Sequence, residues 1–263
     1  MSARIDAETL ARAVADLAAR DADFARVVDR HGHPPLRLAN VGFEALLQII
    51  VEQQLSVASA AAIWGRVRAA MADPTPEAFL ALDDAALKSC GLSRGKMLYG
   101  RHLAERVRDG ALAVHALHAM DDDAAIAELV KVKGIGRWTA EIYLLAALAR
   151  PDTWPAGDLA LQTAAGHLKG MRRRPSEAAL RAMGEAWRPW RAVAARLLWH
   201  FFRHEKLRPL PPPVARTKRA AKAPKGAKKH KRATKARTRR TARKPARKPA
   251  ARKTTRKARR TRR

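Results

Sequence analysis

Leu129-Val-Lys-Val-Lys-Gly-Ile-Gly-Arg-Trp-Thr-Ala140 is the stretch that decides the fold of this chain. An apolar helical run ends at Lys133, a Gly134-Ile135-Gly136 turn follows, and a second helix starts at once. Two glycines around one apolar residue let the backbone come close to another object with no Cβ in the way. The amides that open the next helix have no partner inside it and point outward. Free N–H groups at the positive end of a helix dipole suit a phosphate. A lone carboxylate follows 22 residues after Gly136, in Trp154-Pro155-Ala156-Gly157-Asp158.

Helix signals extend in both directions from this corner. Residues 6–20 read as an amphipathic helix, and His31-Gly-His-Pro-Pro35 reads as a loop. Phe43, Leu46, Leu47, Ile50, Val51 and Leu55 recur at three- and four-residue steps, the stripe of a buried helix face. Asp73-Pro-Thr-Pro76 interrupts the pattern before a short helix at 77–82. Asp83 or Asp84 caps the next helix, which stops at Gly91, and Ser93 caps another that runs to Asp109. Asp121-Asp-Asp123 marks a helix start before 124–130. Residues 137–149 form the second arm of the hairpin, and Asp158 suits the N-cap of a helix over 158–169. Ser176 caps a helix at 177–187, and Pro189 suits the first position of a last helix ending near Glu205. No alternating strand pattern is long enough to count, so the fold class is all-α.

Charge divides the chain. Of its 54 Lys and Arg residues, 25 lie between Val214 and Arg263, a stretch with no Asp or Glu. The first 213 residues keep 29 basic and 24 acidic side chains, so most of the net charge of +30 belongs to the tail. The expected division is a globular domain at 1–210 and a Lys/Arg-rich segment at 211–263. That segment has almost no large apolar side chains, so burial cannot offset its ordering entropy and disorder is expected. Its composition resembles the tails of linker histones and predicts nonspecific DNA binding. Cys90 is the one cysteine, which excludes an intramolecular disulfide and a four-cysteine zinc or iron–sulfur cluster within one chain. No apolar run approaches the ~18 residues of a membrane span, and residues 1–10 lack the apolar core of a secretory signal. The expectation is a cytoplasmic, nucleoid-associated protein with no membrane partner.

The hairpin and the Asp at its downstream spacing resemble the signature of the helix-hairpin-helix DNA glycosylase superfamily. Three flanking segments match it in order: Phe43-Glu-Ala-Leu-Leu-Gln-Ile-Ile-Val-Glu-Gln-Gln-Leu-Ser-Val57, Cys90-Gly-Leu-Ser-Arg-Gly-Lys96, and Trp187-Arg-Pro-Trp-Arg-Ala-Val-Ala-Ala-Arg-Leu-Leu-Trp199. The likeness covers residues 35–205 and is greatest to the 3-methyladenine DNA glycosylase II group. It implies a two-lobed helical core that acts, as a monomer, on double-stranded DNA containing damaged bases. It implies no required cofactor, with a place for a monovalent cation at the hairpin.

The resemblance also assigns residues. Lys133, Gly134, Ile135, Gly136 and Thr139 would grip the DNA backbone, and Asp158 would be the catalytic carboxylate. Trp138 falls at the base-stacking position. The second pocket aromatic falls on Ile142, with Tyr143 beside it as the available ring. Gln54 would fill the hole left by a flipped base, with Leu55 as its apolar neighbour and a candidate for the core. Bifunctional members carry a Schiff-base lysine at the position of Trp138, so the lyase step should be absent here.

The chemistry follows from the substrate. An N-glycosidic bond inside the stack is reached only by flipping the nucleotide out, which is cheaper for a damaged base. Breaking the C1′–N bond builds positive charge on the sugar, which a nearby carboxylate stabilises. A cationic alkylpurine also stacks well on an indole face. Two other readings stay open: a non-enzymatic, histone-like DNA-compacting protein, and a glycosylase for uracil or an oxidised purine. His200 and His204 lie one helical turn apart with no third ligand in sight, so no metal site is expected; His31 and His33 read as solvent-facing.

Overall fold

A computed structural model describes residues 4–213, which belong to one compact unit. Among the described residues there are twelve α-helices and no strand. The first four are α1 (Ala7–Arg20), α2 (Ala22–His31), α3 (Phe43–Glu52) and α4 (Val57–Ala69). α5 (Pro76–Ala81), α6 (Asp84–Ser89), α7 (Arg94–Arg108) and α8 (Asp122–Leu129) follow. α9 (Arg137–Ala146), α10 (Leu159–Leu168), α11 (Glu177–Met183) and α12 (Arg191–His204) complete the set. Short 3-10 turns at Val114–Ala119 and Gly184–Trp187 join α7 to α8 and α11 to α12.

Nine of these helices open on an Asp, Ser or Thr whose side chain accepts a backbone N–H of the first turn. Each such cap satisfies a donor that the helix itself cannot. Two helices are hidden in the sequence. α2 follows α1 with no glycine or proline between them, because Asp21 ends one and caps the other. α4 buries only Ala60 and Val67, so its apolar stripe is too thin to read. Pro189 does not open α12: it lies in the turn before, Trp190 is the N-cap, and the Trp190 N–H donates to the Trp187 carbonyl.

The helices pack around two apolar cores. One holds the inner faces of α3 and α5–α8 together with Ala140, Tyr143 and Leu144 of α9. The other gathers α1, α2 and α10–α12, with Leu145 of α9 and Trp154. The chain thus starts in the second lobe, crosses into the first through residues 32–42, and returns along α9, whose opposite faces serve both. The two cores match the expected two-lobed all-α architecture. Packed chain continues beyond 210, since the Arg174 N–H donates to the Pro211 carbonyl and Arg173 Nη1 to that of Pro212. The expected tail from Val214 on lies outside the described residues.

A polar clamp holds the second lobe. Lys169 Nζ donates to both Asp21 oxygens at 2.9 Å, and Trp187 Nε1 donates to Asp21 at 3.0 Å. Burial pushes the Asp21 carboxyl up, but the bonds from Lys169 and Trp187 outweigh it and hold the group below its usual range. A folded-state pKa below the unfolded value of about 3.9 gives stability that is present above that pH and lost as pH falls through the folded value. Lys169→Met is therefore expected to cost about 1–2 kcal/mol at neutral pH. The gap between variant and wild type should close in urea titrations run at progressively lower pH through the acid range.

Candidate active site at the junction of the lobes

The hairpin forms as its glycines require. Gly134 has φ +87°, and a Cβ there would lie 2.4 Å from the Tyr99 ring, so both conformation and packing exclude a side chain. Ile135 is buried and anchors the turn, whereas nothing would lie within 4 Å of a Cβ on Gly136. Gly136 is the N-cap of α9, and no side chain caps that helix. The amides of its first turn are left for an outside acceptor. Lys133 is exposed, and its N–H donates to His102 Nδ1 at 3.0 Å. Burial, with Lys133 and Arg106 nearby, pulls His102 down and keeps that nitrogen free to accept.

Asp158 ends the short loop that leads into α10 and caps that helix, accepting the Leu161 N–H at 2.9 Å. The same oxygen accepts Trp199 Nε1 at 3.2 Å, and the other accepts Trp138 Nε1 at 3.1 Å. All three partners are donors, as an ionised carboxylate, which only accepts, requires. Helices α9, α10 and α12 thus converge on one carboxylate, fixed by two indoles and a helix start. Trp138 is tethered by its edge and remains 39% exposed, so ring area is available for stacking. One turn along α9, Ile142 lines a cavity of about 190 Å³ that Trp199 and Leu145 also border. The cavity therefore adjoins Trp199, one of the two indoles that hold Asp158.

Residues 47–190 match the HhH-GPD superfamily of base excision DNA repair proteins. This chain belongs to that superfamily. DNA-3-methyladenine glycosylase 1 of Schizosaccharomyces pombe is 30% identical over 60% of the chain and 71% of its own length. DNA-3-methyladenine glycosylase 2 of Escherichia coli is 31% identical over 64% of the chain, which spans 61% of that relative. Among solved structures, the S. pombe 3-methyladenine DNA glycosylase in complex with abasic DNA superposes with a TM-score of 0.67 at 27% identity. That match covers 74% of this chain and 97% of the other. A DNA-3-methyladenine glycosidase from Bacillus halodurans gives 0.65 at 32% identity, covering 80% and 96%.

Several sequence expectations for this HhH-GPD chain change on contact with its geometry. Tyr143 is fully buried in the first core, and its hydroxyl accepts the Gly42 N–H at 3.1 Å. It cannot stack a base, because one residue of α-helix turns the side chain by about 100° away from Ile142. A second cavity of about 630 Å³ borders Tyr143, Val41 and Leu148, but none of these touches Asp158. Leu55 is 37% exposed and lies past the end of α3, so it belongs to the loop tip and not to the core stripe. His31 is not free in solvent: its Nε2 meets Glu205 Oε1 at 2.9 Å, and its ring stacks on His204. His200 faces the His31 carbonyl, and among the described residues no group of three ligands could hold a metal.

Three features went unassigned in the sequence. Trp199 was visible only as part of a matching segment, and nothing in its spacing separates a site indole from a core one. Val57, 89% exposed, joins Gln54 and Leu55 at the loop tip. Gln54 sits there with φ +57°, an uncommon conformation for a residue with a side chain. Gln53 ties this loop to the hairpin, its Nε2 donating to the Gly134 carbonyl at 3.0 Å and to Thr139 Oγ1 at 3.2 Å. Thr139 is buried, so its hydroxyl serves that link and does not face the DNA side.

Gly134→Ala tests the corner. The left-handed backbone and the Tyr99 contact together should cost about 3 kcal/mol. The expected result is a lower urea midpoint and loss of duplex affinity. Gly136→Ala, with open space at its Cβ, should keep its midpoint within about 1 kcal/mol of wild type.

Proposed function

We propose that this protein is a monofunctional DNA glycosylase that removes alkylated bases of the 3-methyladenine type by hydrolysis of the N-glycosidic bond. The observation that carries the reading is Asp158, 22 residues downstream of the hairpin and held by the exposed Trp138 and by Trp199, which borders a cavity of about 190 Å³. The hairpin amides bind a phosphate of duplex DNA, and Gln54 or Leu55 at the loop tip enters the gap left by the flipped base. The damaged base stacks on Trp138. As the C1′–N bond lengthens, Asp158 stabilises the positive charge on the sugar and orients the water that attacks C1′. The base leaves with the bonding electron pair, and the water proton passes to the carboxylate.

The absence of a lyase step rests on position 138, where an indole cannot form the imine that a lysine would. The names of the relatives support alkylated bases as substrates. A monovalent cation at the hairpin would share carbonyls that already accept a bond, Gly134 from Gln53 and Val132 from Ile135. A carbonyl oxygen has a second lone pair, so the fit holds. Acting as a monomer, close to the nucleoid, with the basic tail on undamaged DNA, completes the reading.

The test is product analysis on methylated duplex DNA. The expected product is an intact strand with abasic sites that breaks only in alkali, and borohydride should trap no protein–DNA adduct. Strand cleavage at neutral pH with a trapped adduct would overturn the monofunctional reading. Tight binding without any abasic site would favour the DNA-compacting alternative.

A further inference from the structure

The cavity of about 630 Å³ that borders Tyr143 takes no part in the chemistry above. It has the size of a small-molecule site and lies between two lobes, where such sites often form. Its walls come from both. Val114, His115 and His118 belong to the 3-10 turn after α7, while Arg4 precedes α1 of the other lobe. Val41 and Gly42 end the crossover between the lobes, and Tyr143 and Leu148 come from α9 and the turn beyond it. Backbone bonds pin the two approaching strands of chain: the Ile5 N–H donates to the Ala149 carbonyl and the Ala39 N–H to that of Ala146, each at 2.8 Å.

The lining has a definite chemistry. Val41, Val114, Tyr143 and Leu148 make it apolar, and Val41 is 57% exposed. Among the described residues no acidic side chain lines it, whereas Arg4, His115 and His118 do. Arg150 spends its guanidinium on Asp122 and on the Leu117 and Met120 carbonyls, so the exposed Arg4 is the guanidinium placed to meet a ligand. Gly42 is the N-cap of α3, and no side chain caps that helix, which leaves first-turn amides at the positive end of its dipole. The fully buried Tyr143 hydroxyl accepts the Gly42 N–H at 3.1 Å, but its own proton meets no acceptor among the described residues. Burial pushes that hydroxyl up, so it stays a donor. A buried donor without an acceptor is costly unless a ligand supplies one.

An apolar body carrying one carboxylate matches each feature. Its hydrocarbon displaces water from Val41, Val114 and Leu148. Its oxygens accept from the Tyr143 hydroxyl at the start of α3 and gain from the charge of Arg4. A cationic ligand would meet like charge, and a wholly polar one would leave the apolar wall wet. We propose that this cavity binds an amphipathic monocarboxylate of the fatty-acid type between the lobes, at a site separate from Asp158. The inference is independent of the glycosylase reading.

The test is calorimetric titration of the full chain with decanoate at physiological salt, beside decanol and decylamine. The basic tail attracts any anion, so the variants lie in the cavity and leave the tail intact. Wild type should show one saturable decanoate site per chain, with decanol about tenfold weaker or more and no site for decylamine. Saturating decanoate should also raise the urea midpoint. Val41→Asp sets a carboxylate at the cavity and should weaken decanoate about tenfold or more. Arg4→Gln should weaken decanoate several-fold and leave decanol unchanged. Both positions are exposed, so both variants should keep the wild-type urea midpoint without ligand. Tyr143→Phe should weaken decanoate further if it folds; the two exposed positions keep the test decisive if it does not. Decanol bound as tightly as decanoate overturns the assignment of a carboxylate. The absence of a saturable site, or decanoate binding that Val41→Asp and Arg4→Gln leave unchanged, overturns the inference.

Discussion

Asp158→Asn is expected to slow base release at least ~1000-fold while affinity for damaged duplex stays within a few-fold of wild type. Asparagine is the informative replacement because it is also a good N-cap, so its amide oxygen can still accept the Leu161 N–H at the start of α10. What it removes is the negative charge, and with it the stabilisation of the sugar cation. It also places an NH2 where a carboxylate oxygen accepted an indole N–H. A modest loss of stability should accompany the loss of rate, readable as a small shift in urea midpoint. Single-turnover release and fluorescence anisotropy on the same lesion duplex separate the two effects. A variant that retains even a tenth of the wild-type rate would show that Asp158 is only a helix cap.

The second large effect concerns the 50 residues from Val214 to Arg263, with 25 basic and no acidic side chains. Removing them should flatten the dependence of log K on log salt by about 0.9 for each phosphate they neutralise. Engagement of about five phosphates would already change affinity for undamaged DNA by orders of magnitude between low and physiological salt. Because Asp158, Trp138 and the hairpin lie in the described body, single-turnover release at saturating enzyme should stay within a few-fold of wild type. An unchanged salt slope after truncation would show that the tail is not on the DNA.

How far the sequence carries depends on how local each determinant is. The hairpin was legible because its requirement is local: Gly134 needs a left-handed backbone, and a glycine pair before a helix has few other meanings. Asp158 as an N-cap was legible for the same reason. α2 and α4 were not, since one helix begins on the residue that ends its neighbour and the other hardly buries a face. Tyr143 shows how side chains one residue apart part company. Proximity in sequence suggested a pocket ring, but the helix turns it into the core and leaves Ile142 at the cavity. Trp199, Gln53 and Arg196 act through contacts across 41, 81 and 51 residues, and no spacing rule reaches that far.

The shape of the site explains why these distant contacts matter. A carboxylate near a developing sugar cation must be held in place, and three N–H donors from three elements do this for Asp158. Gln53 couples the loop that would enter the duplex to the corner that would hold its backbone, so the two contacts form one unit. The tightest constraints therefore lie where the lobes meet.

The most direct test of the central claim is chromatographic detection of free base after wild-type protein meets methylated duplex DNA. The account predicts 3-methyladenine in the supernatant, with one abasic site formed per base released. DNA that is bound tightly yet yields no free base at enzyme excess would contradict it.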